Sequence, residues 1–222
     1  MCLGGIKEKN GVAYPDEAFR AVYRFSFSDS FVLATKDTSR DSLNSIVAST
    51  CMMAQMLFAV QLPVRGAIVS GEADFVPGTD HIVGRGVIDA VELQASQNWF
   101  GVMLSSGLGS HAEIAALLDP RVLPMIVRYV IPLKAGISHD GTALNWRLNI
   151  TAEAGTQRFF HPPADDDQGV KLHNTLAFAK HVRDTQQAYT KHDRPWLRPI
   201  YLPIVPVPDS QTTIELVNGD EY

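Results

Sequence analysis

The chain carries only two cysteines, Cys2 and Cys51, in 222 residues. That is too few for a disulfide framework, so a reducing cytoplasm is the expected compartment. Cys51 lies in an apolar stretch of helical spacing and reads as a small core residue. Several signatures of familiar chemistry are also missing. The chain has no GxxxxGK[ST], no GxGxxG after a strand and no GxSxG. Its seven histidines, His81, His111, His139, His161, His173, His181 and His192, include no HxH or HxxxH pair and complete no zinc motif. Basic residues do not dominate. The net charge is −5, whereas a sequence-independent nucleic-acid binder needs a basic face, so nucleic acid is not an expected partner. No long apolar run is uninterrupted either. The most apolar window, 51–69, is broken by Gln55, Gln61, Pro63 and Arg65 and does not read as a membrane span. The first residues, MCLGGIKEKNGVAYPDE, lack a basic segment followed by an apolar run and so do not read as a signal peptide.

What is present is an ordinary globular composition, 45% hydrophobic and 19% charged, sized for one domain or one domain with an appendage. Residues 1–21 read as an irregular lead-in, 22–193 as the domain, and 194–222 as a proline-rich, extended tail. Pro15 followed by Asp16 and Glu17 has the look of a helix start. The pattern predicts a helix over about 42–61, stopped by Pro63, from Leu43, Ile46, Val47, Ala54, Leu57 and Phe58. A strand follows over 64–70, a loop over 73–81, a helix over 86–97, a strand over 100–104 and a helix near 112–118. Strands over 125–132 and 143–150 form a hairpin, 158–169 is loop with the acidic run Asp165–Asp167, and 171–191 is the last helix. Trp99, Trp146 and Phe178 read as core or interface aromatics, and Gly66 and Gly71 as close-packing or turn positions. Helices alternate with strands, but hairpins rule out a purely parallel sheet, so the fold class is α+β.

The run FSFSDSFVLATK, residues 25–36, poses a sharper question. Phe25, Phe27, Phe31 and Leu33 alternate as one buried strand face, yet Asp29 shares their parity. A buried, unpaired carboxylate is costly. Ser28-Asp29-Ser30 is good turn chemistry, so Asp29 is expected at the tip of a β-hairpin. By itself it is either a plain turn residue or a carboxylate displayed for a ligand.

Three blocks in order, SFSDSFVLA, VRGAIVSGEA and IVGRGVIDAVELQ followed by NWFGVML, resemble the catalytic domain of class III nucleotide cyclases, the adenylyl and guanylyl cyclase family. More narrowly they are similar to its divergent bacterial branch, which includes the pyrimidine cyclases of antiviral defense. The resemblance covers 22–105. It implies a ferredoxin-like palm with a βαββαβ core, a homodimer, and a nucleoside triphosphate bound with two Mg²⁺ or Mn²⁺ ions. The implied reaction is attack of the ribose 3′-hydroxyl on the α-phosphate with loss of pyrophosphate, giving a cyclic nucleotide for signalling. It places Asp29 as metal ligand and catalytic carboxylate, with Phe25, Ser28, Ser30 and Arg85 at the substrate. Read from its residue type alone, Arg85 is rather an exposed helix-start residue.

The chain also departs from that pattern. The family's second metal aspartate lies on a strand well before the hairpin; only 28 residues precede Asp29, and none forms that block. The first strand is missing, which implies replacement by the N-terminal segment, by another chain, or by residues upstream of Met1. Where purine cyclases carry an asparagine and an arginine, this chain has Ile88 and Glu92, and a glutamate opposes phosphoryl charge. The base-choosing lysine falls at Phe25, so no base is assigned. Two functions are therefore carried forward: a nucleotide cyclase-like enzyme with an incomplete catalytic set, and a catalytically inactive cyclase-like module for nucleotide binding or dimerisation. An RNA-binding sheet would need exposed aromatic and basic residues on its strands, which RGAIVS does not supply.

Overall fold

A computed structural model of the chain describes residues 6–9, 12–15, 22–60, 62–76, 79, 81–147 and 166–190. The expected helix start at Asp16 and Glu17, the tail from 194 and most of the loop before the last helix lie outside them.

Two strands occupy the lead-in that the sequence left irregular. β1 (Ile6–Lys9) pairs antiparallel with β2 (Val12–Pro15). β3 (Tyr23–Phe27) and β4 (Ser30–Ala34) form the expected hairpin as a separate two-stranded sheet. Then comes α1 (Arg40–Ala59). Its start is chemically specified: Ser39 is the N-cap and accepts from the Ser42 amide, while Asp37 accepts from the Ser39 amide at 3.0 Å and the Ser42 hydroxyl at 2.5 Å. Hydrogen bonds from Ser39 and Ser42 hold the Asp37 carboxyl down at about 2. By length and composition α1 could also cross a membrane. In this fold its Val47, Cys51, Ala54 and Phe58 are buried in the core.

β5 (Arg65–Ile68) leads through two short paired strands, β6 (Asp74–Phe75) and β7 (Ile82–Val83), to α2 (Arg85–Ser96) and β8 (Gly101–Leu104). β6 lies inside the expected loop over 73–81 and β7 just after it; two residues each are too few to print an alternation. After α3 (His111–Leu117) come β9 (Ile126–Pro132) and β10 (Ser138–Leu144), then α4 (Asp166–Thr190). The main sheet runs β5-β8-β10-β9, with β5 parallel to β8 and the other pairs antiparallel. The fold is α+β, as expected.

Two boundaries moved for physical reasons. β10 begins at Ser138, five residues before the expected strand, because SHDGT pairs with β9 on a partly open face where polar side chains are tolerated. α4 begins at Asp166, inside the expected acidic loop, because carboxylates in a first helical turn are favoured there. Lys171 also pairs with Asp167 one turn on.

The core gathers around aromatics from non-adjacent elements. Phe58 of α1 stacks on Trp146 at 4.3 Å, and Phe178 of α4 meets Trp99 at 4.7 Å and Tyr129 of β9 at 4.9 Å. Cys51 sits in this cluster. Its thiol donates to the Asn145 carbonyl at 3.4 Å, and burial pushes its pKa up to about 12. A thiol that cannot ionise does not attack. In a Cys2→Ser background, Cys51 is therefore expected to resist a disulfide-exchange reagent in native protein and to react fully in guanidinium chloride. Prompt native labelling would contradict the burial.

Candidate functional site

The hairpin turn is built by Ser28 and Asp29 alone, since Phe27 pairs directly with Ser30. Two-residue loops that match strand twist need positive φ at their first position, and Ser28 supplies it at φ 53°. Asp29 is thus held at the tip, exposed, with the Ser30 hydroxyl donating to its Oδ1 at 3.3 Å.

A loop of two residues also reverses parity. Phe25 pairs with Val32 and Ser26 with Phe31, so Phe27 and Phe31 project from opposite faces. The single apolar face expected from the odd positions does not form. Phe25 is 1% exposed and meets Phe75 edge-on at 5.4 Å, whereas Phe27 and Phe31 are 41% and 49% exposed.

The other candidate residues divide between core and surface. Phe25 is core, and Ser28 and Ser30 flank Asp29 in solvent. Arg85 is the first residue of α2, and its Nε donates to Asp89 Oδ1 at 2.7 Å from a largely exposed side chain. Among the described residues no hydrogen bond or ion pair joins Arg85 to the hairpin, and no three acidic, histidine or cysteine side chains group as a metal ion requires. One exposed carboxylate is a single ligand. The described residues of one chain do not by themselves fit a two-metal site.

The structure does present a cavity of about 460 Å³ elsewhere. It lies beside α2 where β5 and β8 end, lined by Ser70, Ser105, Asp89, Glu92, Leu93 and Ser96. Ligands of open sheets commonly gather past the carboxyl ends of parallel strands. Three hydroxyls and two carboxylates line it; Asp89 is paired with Arg85, and Glu92 sets a negative charge where a phosphate cradle would carry a cation. Glu92, already noted as standing where the cyclase pattern has an arginine, lines it directly. Sequence reading missed the cavity because its walls come from two strand ends and one helix face. The only local trace was serine after each strand, at Ser70 and Ser105.

The α2 end of this region is packed backbone to backbone. Gly86 donates its amide to the Glu72 carbonyl at 2.9 Å, and a Cβ on Gly71 would stand 2.7 Å from the Gly86 Cα. Gly84 takes φ 144° to turn the chain into α2, a conformation that favours glycine. Comparison with family models, with curated proteins and with solved structures finds no match to this chain.

Proposed function

We propose that the chain is a nucleotide cyclase-like domain whose β3–β4 hairpin offers Asp29 to a nucleoside triphosphate and its metal ions. The observation that carries the reading is the order of elements on which the three sequence blocks fall. SFSDSFVLA spans the hairpin, RGAI is β5, and RGVIDAVELQ with GVML makes α2 and β8. An exposed carboxylate at a tight reversal is thereby followed by α1, β5, the short β6–β7 pair, α2 and β8, with β5 and β8 parallel neighbours. β4 and β5, joined by α1, each have one edge without a ladder partner among the described residues. One further strand paired to both would complete a palm-like sheet and could bring the second carboxylate that Asp29 lacks.

The missing ligand set favours a second reading, a cyclase-like module that binds nucleotide or dimerises without turnover. One experiment separates the two. Purified chain is incubated with ATP, GTP, CTP and UTP plus Mn²⁺, and products are resolved by chromatography. The enzymatic reading expects a cyclic nucleotide whose formation falls at least ~100-fold in Asp29→Ala, since positioned charge neutralisation carries this chemistry. No product with any nucleotide, from folded protein that still binds one by calorimetry, leaves the second reading. Folded protein that gives no product, binds no nucleotide and runs as a monomer in sedimentation removes both.

A further inference from the structure

The short helix α3 packs against β9, and its first residue is His111. The Nε2 of His111 is buried and has no hydrogen-bond partner. A neutral ring tolerates this, because an unused lone pair costs less than an unsatisfied charged donor. A protonated ring must place N–H at both nitrogens.

His111 as a whole is half-buried, but the groups nearest its Nε2 are already engaged. Arg128 of β9 and Asp140 of β10 lie on the same sheet face, and their charges act on His111 with opposite sign. Asp140 is already engaged: it accepts from Arg128 Nε at 3.0 Å and from Nη2 at 2.5 Å. On the helix itself, Glu113 is held by the Ser110 amide and hydroxyl in a capping box. From α1, Arg40 reaches only the far end of the helix, donating to the Leu118 carbonyl at 3.3 Å. No free carboxylate therefore meets the buried nitrogen. What α3 stands to release is apolar: Ile114 and Leu118 are 1% and 3% exposed.

We propose that His111 is a proton-sensitive latch, holding α3 on β9 while its ring is neutral and loosening it when the buried Nε2 is forced to carry a proton that no acceptor meets. Burial and the Arg128 charge both lower the affinity of the folded state for this proton. The unfolded or undocked ring binds it at the ordinary histidine value of about 6.5, so docking is at full strength above that pH and weakens below it. This device is independent of the nucleotide reading.

The test uses the full chain. In an NMR titration, the His111 ring is expected to titrate at lower pH than a free histidine. Arg128→Gln, a change at an exposed side chain, is expected to move the midpoint upward by removing the opposing charge and freeing Asp140. Hydrogen exchange, corrected for its intrinsic pH dependence, is expected to show amides of 111–118 losing protection relative to β8 between about pH 7.5 and about pH 5.5, the range in which histidine titrates. That loss is expected to disappear in His111→Gln. A midpoint at or above the free value, a midpoint unmoved by Arg128→Gln, or the same loss of protection in His111→Gln overturns the latch.

Discussion

Trp99→Ala is expected to leave the chain largely unfolded at room temperature. The indole is fully buried, between Phe178 at 4.7 Å and Tyr129 at 5.7 Å, and it fills the space over Gly101, where any Cβ would stand 2.4 Å from the ring. Truncating a buried aromatic to alanine costs about 3–5 kcal/mol in lost burial and residual cavity. A second loss adds to it. Trp99 Nε1 donates to Gln97 Oε1 at 2.8 Å, and Gln97 in turn donates to the Gly66 carbonyl at 2.8 Å. Removing the indole orphans a buried acceptor, worth about 1–3 kcal/mol. Domains are stable by about 5–15 kcal/mol, so the sum reaches the lower end of that range. Urea unfolding followed by far-UV circular dichroism measures it. Trp99→Phe keeps much of the packing but not the bond, and is expected to fall between the two. A Trp99→Ala protein as stable as wild type, to within about 1 kcal/mol, would remove Trp99 from the centre of the core.

The sequence displays this centre only in part. Trp99, Trp146 and Phe178 are visible as large aromatics in apolar settings, but their convergence is not. They come from the segments before β8 and after β10 and from α4, and no local periodicity records which of these meet. α1 is legible because twenty residues at helical spacing, opened by Ser39, leave little choice. β10 is less so, because its first half is polar and its partner is an edge strand. Turn chemistry reads correctly at Ser28-Asp29, yet the apolar pattern across the turn does not, since a two-residue reversal exchanges the faces of everything beyond it.

The site follows the same division. Asp29 is locally encoded, by small polar residues between two β runs, and the structure displays it at a tip. Its chemical company is not locally encoded. The proposed nucleotide site there would have to be completed by elements far away in sequence, and the cavity that single-chain packing does create is lined by Asp89 and Glu92, which do not suit phosphate. A carboxylate at a turn and an acceptor-rich cleft are each ordinary on their own. Only the order of the three blocks joins the first of them to a reaction, which is why product analysis with Asp29→Ala weighs more than any further inspection of spacing.

Gly71→Ala is the other substitution expected to have a large effect, and its sign is diagnostic. Replacing glycine by alanine normally stabilises a chain by about 0.4–1 kcal/mol where the backbone permits it, because the unfolded state loses freedom. Gly71 does not have positive φ, so backbone strain is not the objection. The objection is steric. Its Cβ would stand 2.7 Å from the Gly86 Cα and 3.2 Å from the Gly86 amide nitrogen, both backbone atoms that cannot rotate aside. Gly86→Ala meets the same contact from the other side, at 3.0 Å from the Gly71 carbonyl carbon and 3.1 Å from the Glu72 carbonyl oxygen, although alanine is otherwise the better helix former by about 1 kcal/mol. In both variants the start of α2 must move away from the chain leaving β5, weakening the Gly86 amide bond to Glu72. Overpacking of this kind costs about 1–3 kcal/mol. Each single variant is therefore expected to be destabilised in urea. The double variant is expected to lose less than the sum, because the first displacement already makes part of the room for the second. Stabilisation by either alanine would show that the two backbones are not in contact, and with that the wall of the cavity carrying Asp89 and Glu92 would no longer be fixed against β5.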